Sequence, residues 1–366
     1  MSKPEQFMSI YFDHAAAMPP DGEILAFYLE AMKKYYANQE AGHRLGYELR
    51  RVLDEAAVGL SKAFTGSDEW QVVWGGSGTE IFEIFSASPV VSGRQVISSG
   101  LEHPALLAAL RRHASGLTRL QPGRDGLLVP DAATGEVAAF HQVQSELGVI
   151  QDLEGLFSAF PGALRFVDAI QAAGRLRVFT GADVVAVSGV KFGAPGGAAL
   201  LINPRWEAAG QLLAAAHDRR SREYLSGRVS PALALTLAFA AAKRAAALDE
   251  AAERAAAVSR FLRERCIALG LQPTIAPKNA SPYILHLMLP GYQAQVVVRM
   301  LSELGFMVAA GSACAAESKE PSPALRALGF SRGEAYGGLR LSIGFETTIA
   351  DAEKLSVALE TALKNY

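Results

Sequence analysis

Apolar and polar positions along this chain fall into two alternating patterns. From about residue 70, short apolar runs recur between stretches of helical length: QVVW (71–74), QVISS (95–99), VAAFHQV (137–143), LRFVDA (164–169), DVVAVSG (183–189) and AALLI (198–202). Strands interleaved with helix-length segments predict βαβ units, and therefore an α/β fold with a mainly parallel sheet and right-handed crossovers. Runs as uniformly apolar as Val184, Val185 and Val187 predict strands buried on both faces.

Residues 230–268 change the pattern: they are rich in Ala, Leu, Arg and Glu, with no Gly or Pro after Pro231, which predicts one long helix bridging two domains. Beyond it, YILHLMLPG, a helical QAQVVVRMLSELG, a short FMVAAGSAC and LRLSIGF predict a second, smaller α/β unit. The expected organisation is a large domain over residues 15–250 and a small C-terminal domain over 251–366, joined by residues 1–14. There is no internal repeat and no low-complexity linker.

Composition narrows the function classes. Of 366 residues half are hydrophobic and a fifth charged, and the formal net charge is −2, so no basic field exists to hold nucleic acid. A small-molecule partner is expected instead. Two cysteines, Cys266 and Cys314, are too few for a disulfide framework and fit a reducing compartment, with the cytoplasm as the default. The N-terminus lacks a sustained apolar segment, and no clean run of about 18 apolar residues reads as a membrane span. No residue cluster points to a metal.

Several polar residues stand out against this background. The apolar run ending at Ser188 leads into a lone lysine, Lys191, set among glycines (SGVKFGAPGG, 188–197). A lysine at a strand end lies where α/β folds place ligands, which makes it a candidate reagent. GGSGTEIFEIF (75–85) follows a strand and opens a helix, so it is either an anion-binding helix N-terminus or an ordinary capped turn. Asp168, at the end of LRFVD, either holds a positive charge or caps a helix, with Gln171 three residues on. His103, in GLEHPALLAAL (100–110), either stacks on an aromatic ligand and moves protons or is a solvated loop histidine. Cys314 lies in a segment of small residues, AAGSACAAESKEPSP (309–323), that gives a thiol access, whereas Cys266 reads as a small buried hydrophobe on its helix.

Taken together, YFDHAAAMPP (11–20), NQEAGHRLG (38–46), GSGTE (76–80), LEHPALL (101–107), QSELGVIQDL (144–153), VDAIQAAG (167–174), SGVKFGAPGG (188–197), GSACAAESKEPSPALRALG (311–329) and LRLSIGFETT (339–348) resemble the cysteine desulfurases. These are pyridoxal 5'-phosphate (PLP) enzymes of the class V aminotransferase group, and the resemblance runs in order along nearly the whole chain. It implies the PLP-dependent transferase type I fold, with a mainly parallel, seven-stranded large-domain sheet and a smaller α/β C-terminal domain. It further implies that Lys191 forms the Schiff base, Asp168 pairs with the pyridinium nitrogen, His103 stacks on the ring and Gln171 bonds its phenolic oxygen. Gly78, Thr79 and Ser188 would hold the phosphate, Arg340 would clamp the substrate carboxylate with Asn38 nearby, and Cys314 would take sulfur from L-cysteine as a persulfide, leaving L-alanine. A homodimer and a sulfur-acceptor protein are the partners the resemblance implies.

Four positions depart from the family pattern. Val190 stands where a histidine usually precedes the lysine, and Ser145 where an asparagine usually reaches the phenolic oxygen. Arg228, in LSGRVSP (225–231), replaces a threonine that in the family serves the partner subunit's phosphate, and His14 replaces an asparagine. These departures keep two alternatives open: other PLP chemistry on the same fold, such as a selenocysteine lyase or an aminotransferase, and a catalytically impaired relative acting as a binding protein.

Overall fold

The structure, a computed structural model, describes residues 9–206, 210, 230–311 and 320–366. The described residues begin with a two-residue strand, β1 (Ile10–Tyr11), followed by helices α1 (Gly22–Lys34) and α2 (Arg44–Thr65). The apolar runs then fold into a single seven-stranded sheet of β2 (Gln71–Gly75), β3 (Gln95–Ser99), β4 (Gly116–Leu120), β5 (Val137–His141), β6 (Leu164–Asp168), β7 (Val184–Ser188) and β8 (Ala198–Ile202). Its spatial order is β2-β8-β7-β6-β5-β3-β4. Neighbours from β7 through β4 are parallel, and β8 runs antiparallel to both β2 and β7, so the sheet is mainly parallel as expected.

Every residue of β5, β7 and β8 is buried, as two-faced coverage requires. The strand missed by the hydrophobic pattern is β4: it pairs on one side only, keeps Thr118 and Arg119 exposed, and so carries no continuous apolar run. Helices α3 (Gly78–Ala87) and α4 (Pro104–His113) connect β2 to β3 and β3 to β4.

The long helix expected over 230–268 is instead two, Pro231–Ala246 and Leu248–Ala268, bent by 71°. No Gly or Pro marks the break. The two halves answer to different surfaces: Leu235 packs with Leu49 and Leu53 of α2, whereas Val258 and Leu262 join the core beneath the C-terminal strands. The break also lets Arg244 turn inward, where Nε donates to Phe192 O at 3.0 Å and Nη2 to Asp21 at 3.1 Å. Among the described residues no single helix is long and apolar enough to cross a membrane.

Beyond these helices lie β9 (Gln272–Pro273), β10 (Ile284–Met288), β11 (Phe306–Met307), β12 (Ala309–Ala310) and β13 (Gly338–Ser342). Four of them form a small antiparallel sheet, β12-β13-β10-β9, while β11 pairs in parallel with β1, so the first strand of the chain joins the last third. One glycine seats this unit against the large sheet. Gly148 adopts φ +73°, and a Cβ there would fall 2.6 Å from Ile284 O, so only glycine lets the turn after β5 approach β10.

Candidate active site

The carboxyl ends of β3, β5, β6 and β7 converge on a cavity of about 250 Å³. Ligands of open α/β sheets bind outside these ends because the connecting loops splay apart there. Among the sequence-predicted residues, Gly78, Thr79, His103, Ser145, Asp168, Gln171, Ser188, Lys191 and Arg340 all line this cavity, although they come from six separate stretches of chain.

Lys191 closes a single 3₁₀ turn, Gly189–Lys191, directly after β7. Gly189 allows that turn: a Cβ there would lie 2.6 Å from Gly196 O. The lysine amine donates to Ala15 O at 3.0 Å and to Ala16 O. Burial, then the positive charges of Arg175 and Arg340, lower its pKa to about 8, with Asp13 and Asp168 pulling the other way. An amine so placed is a far better nucleophile near neutral pH than a surface lysine.

Asp168 ends β6 and begins no helix, although Oδ1 does accept from Ile170 N at 2.9 Å. Burial raises its pKa to about 7; the Ile170 N–H opposes the rise, and the neighbouring charge of Glu102 adds to it. A carboxyl held in that way gains by meeting a cation. His103 is the N-cap of α4, with Nδ1 accepting from Ala105 N at 3.1 Å, so in the neutral ring the proton sits on Nε2. Burial and the Lys191 charge lower its pKa, which favours that neutral form.

At the other end of the cavity, Ser77 caps α3: its side chain takes the Glu80 N–H and its carbonyl the Ile81 N–H. The N–H groups of Gly78 and Thr79 are left for a ligand, so the turn is both a capped turn and an anion site. A Cβ on Gly78 would approach Ile170 Cδ1 to 2.9 Å and Ser188 Oγ to 4.0 Å, filling the cradle between helix and strand.

Other expected residues are more committed than the sequence implied. Gln171 donates to Ala15 O at 2.9 Å and accepts from Arg175 Nη1 at 2.6 Å, leaving one amide hydrogen. Ser145 presents its carbonyl to Arg340 Nη1 at 2.9 Å. Arg340, buried on β13, also holds Asp13 at 2.6 Å, while its Nε is buried with no partner among the described residues. Asn38 is exposed and outside the cavity of this chain, its Oδ1 accepting from Glu40 N at 3.0 Å. Cys314 and Arg228 lie outside the described residues. Cys266 is fully buried, and burial pushes its thiol up to about 12, as a packing cysteine requires.

Sequence reasoning passed over Asp13, Glu102, His141 and Arg175. His141 had the same signal as Asp168, a polar residue closing an apolar strand, and the two are register partners across β5 and β6. Arg175 carried no signal, because its burial depends on carbonyls brought from the N-terminal segment, such as His14 O at 2.7 Å.

Comparison with known proteins bears out the fold and the family. The profile of the family described as aminotransferase class-V matches residues 10–355. A cysteine desulfurase of Rhodobacter capsulatus is 28% identical over 97% of this chain and 96% of its own. Among solved structures, a NifS-like protein superimposes with a TM-score of 0.82 at 20% identity, covering 98% of this chain and all of its own. A NifS-like protein of Rickettsia africae does so at 0.80, again at 20% identity, covering 97% and 99%.

Proposed function

We propose that this chain, which belongs to the aminotransferase class-V family, is a PLP-dependent cysteine desulfurase that converts L-cysteine to L-alanine. The observation that carries the reading is the buried amine of Lys191 opening into one cavity with Asp168 and His103.

The donor set fits PLP. Gly78, Thr79 and Ser188 offer an anion cradle, Asp168 a carboxylate for a pyridinium nitrogen, His103 a neutral ring, and Lys191 an amine for the aldehyde. When bound, PLP supplies an electron sink for a carbanion at the substrate's α-carbon. Lys191 removes and returns the α-proton, its lowered pKa keeping a usable fraction unprotonated. Arg340, which lines the cavity, is the donor for the α-carboxylate. Cys314 attacks the substrate sulfur as a thiolate; the carbon–sulfur bond breaks with its electron pair on Cβ, which takes a proton, and the enzyme thiol becomes a persulfide. An acceptor thiol then removes that sulfur.

On this reading residues 15–250 form the cofactor domain, and 251–366 with 1–14 the smaller one, a division supported by the pairing of β1 with β11. The exposed apolar side chains Leu25, Leu29, Met32, Tyr36, Leu45 and Tyr47 on and beside α1 and α2 support a homodimer, which would also cover Asn38. The small number of cysteines supports a reducing, cytoplasmic setting.

Purified protein loaded with PLP and given L-cysteine and a thiol is expected to release sulfide and alanine in equal amounts. Cys314→Ala is expected to keep the cofactor's absorbance and lose sulfide release. Undiminished sulfide from that variant would remove the thiol from the reaction, and transamination without sulfide would favour a different amino-acid chemistry.

A further inference from the structure

Behind Asp168 lies a buried polar chain that the reading above does not use. The Ser99 hydroxyl donates to Glu102 Oε1 at 2.7 Å, His141 Nδ1 lies 2.7 Å from the same oxygen, and Gln151 Nε2 is 3.2 Å from His141 Nε2. The protons in this chain can be placed. Gln151 Oε1 accepts from the Leu128 backbone N–H at 2.9 Å, and a backbone nitrogen can only donate, so the Gln151 amide nitrogen must be the atom that meets His141. That nitrogen also donates to Gly126 O at 2.9 Å. Being a donor only, it requires His141 Nε2 to accept, which puts the ring proton on Nδ1, donated to Glu102. An imidazolium would set N–H against N–H. His141 is therefore neutral and leaves the charge of Glu102 uncancelled, and Glu102 Oε2 is buried without a partner among the described residues.

We propose that Ser99, His141 and Gln151 hold Glu102 as a second negative charge beside Asp168, a positioning group that makes this end of the cavity grip a proton or a cation more tightly than Asp168 alone. His141 and Asp168 are register partners and both line the cavity, which brings the held carboxylate close. The groups that face Asp168 are Glu102 beyond β3, His141 on β5 and Lys191 beyond β7; the charge of Glu102 raises its proton affinity, that of Lys191 lowers it, and His141 would lower it only as an imidazolium, the form its hydrogen bonds rule out. His103, at the start of α4, feels Glu102 and Lys191 in turn. A pyridinium nitrogen at Asp168 would be held by the field of both carboxylates; that consequence rests on the PLP reading, whereas the relation between the two carboxyl groups does not.

The test uses the full-length protein without cofactor, labelled with carbon-13 at its aspartate carboxyl groups and titrated by NMR from about pH 5 to 9, with Asp168→Asn to assign the signal. Glu102→Gln keeps an acceptor for Ser99 and His141 but removes the charge. It is expected to lower the Asp168 midpoint by about one pH unit, a tenfold loss of proton affinity. An unchanged midpoint in a folded variant would overturn the proposal. Nitrogen-15 spectra of histidine in the unmutated protein supply a second reading that is independent of any variant. His141 is expected to show the neutral Nδ1–H form at pH 7, and a doubly protonated ring there would equally overturn it. Neither measurement involves PLP, so a failure to bind cofactor would count against the proposed function and leave this inference standing.

Discussion

Arg340 on β13 and Asp13 after β1 form an ion pair, Nη2 to Oδ1 at 2.6 Å, that ties the first strand segment to the small sheet at the edge of the cavity. With Nη1 on Ser145 O, two of the three guanidinium nitrogens are committed before a substrate arrives. On the proposed function the residue is both a strut and a carboxylate donor. Arg340→Ala is expected to lower kcat/KM for L-cysteine by roughly 10- to 150-fold, mostly through KM, the range that about 1.5 to 3 kcal/mol for a charged hydrogen bond implies. Asp13→Asn removes the rival charge but keeps an acceptor, so KM is expected to fall. Steady-state kinetics of both variants decide the matter, and a KM that rises in Asp13→Asn would show the pair to be a strut alone.

With its pKa near 8, the Lys191 amine is unprotonated at pH 7 in roughly 300-fold greater proportion than an ordinary lysine at 10.5. The neutral, reactive fraction grows as pH rises, so the rate of PLP uptake by the cofactor-free protein is expected to climb and level off through about pH 8. Arg175 is the charge that depresses that value most. In Arg175→Met the midpoint is therefore expected to move to higher pH. Stopped-flow absorbance gives both curves, and identical midpoints would exclude Arg175 as the cause.

Asp168 also links folding to pH. Its folded pKa of about 7 lies above the ordinary 3.8, so the stability it contributes is full below about pH 4 and is lost as pH rises towards 7. His286 and His14 act in the opposite sense: burial lowers them from 6.5 to about 3 and about 4, so their contribution is full above about pH 6.5 and is lost as pH falls. Asp168→Asn abolishes only the first effect. Without cofactor, this variant is expected to gain stability relative to the unmutated protein between pH 5 and pH 8, by up to a few kcal/mol, as read from paired thermal melts. A constant difference across that range would mean that Asp168 does not titrate there.

Cys266 is packed beneath β10 by Leu262 and its neighbours, with its thiol pushed up to about 12. It is expected to resist iodoacetamide in the native protein at pH 8 and to react after denaturation, which peptide mass spectrometry resolves. Cys266→Ala should retain full sulfide release. Loss of activity in that variant would reopen which thiol carries the sulfur.

How much of this was readable along the chain differs from element to element. The strands β3, β5, β6, β7 and β8 announce themselves because burial on both faces demands largely apolar runs, and the edge strand β2 does so through Val72, Val73 and Trp74. Lys191 and Asp168 were visible for the converse reason, as ionisable groups at the ends of such runs, where burial is costly without a task. The edge strand β4 left no such trace, since half of its surroundings is solvent.

By itself, then, the sequence determined the alternation of strands and helices, the apolar core and the candidate lysine, aspartate, histidine and anion-binding turn, because each is dictated by local pattern. Tertiary structure alone decided the 71° break near Ala247, the tie between Arg340 and Asp13, and the burial of Glu102 against His141. Those depend on partners far away in the chain, 327 residues apart for Arg340 and Asp13, and no local pattern encodes which distant carboxylate or carbonyl will meet a given side chain once the core has closed.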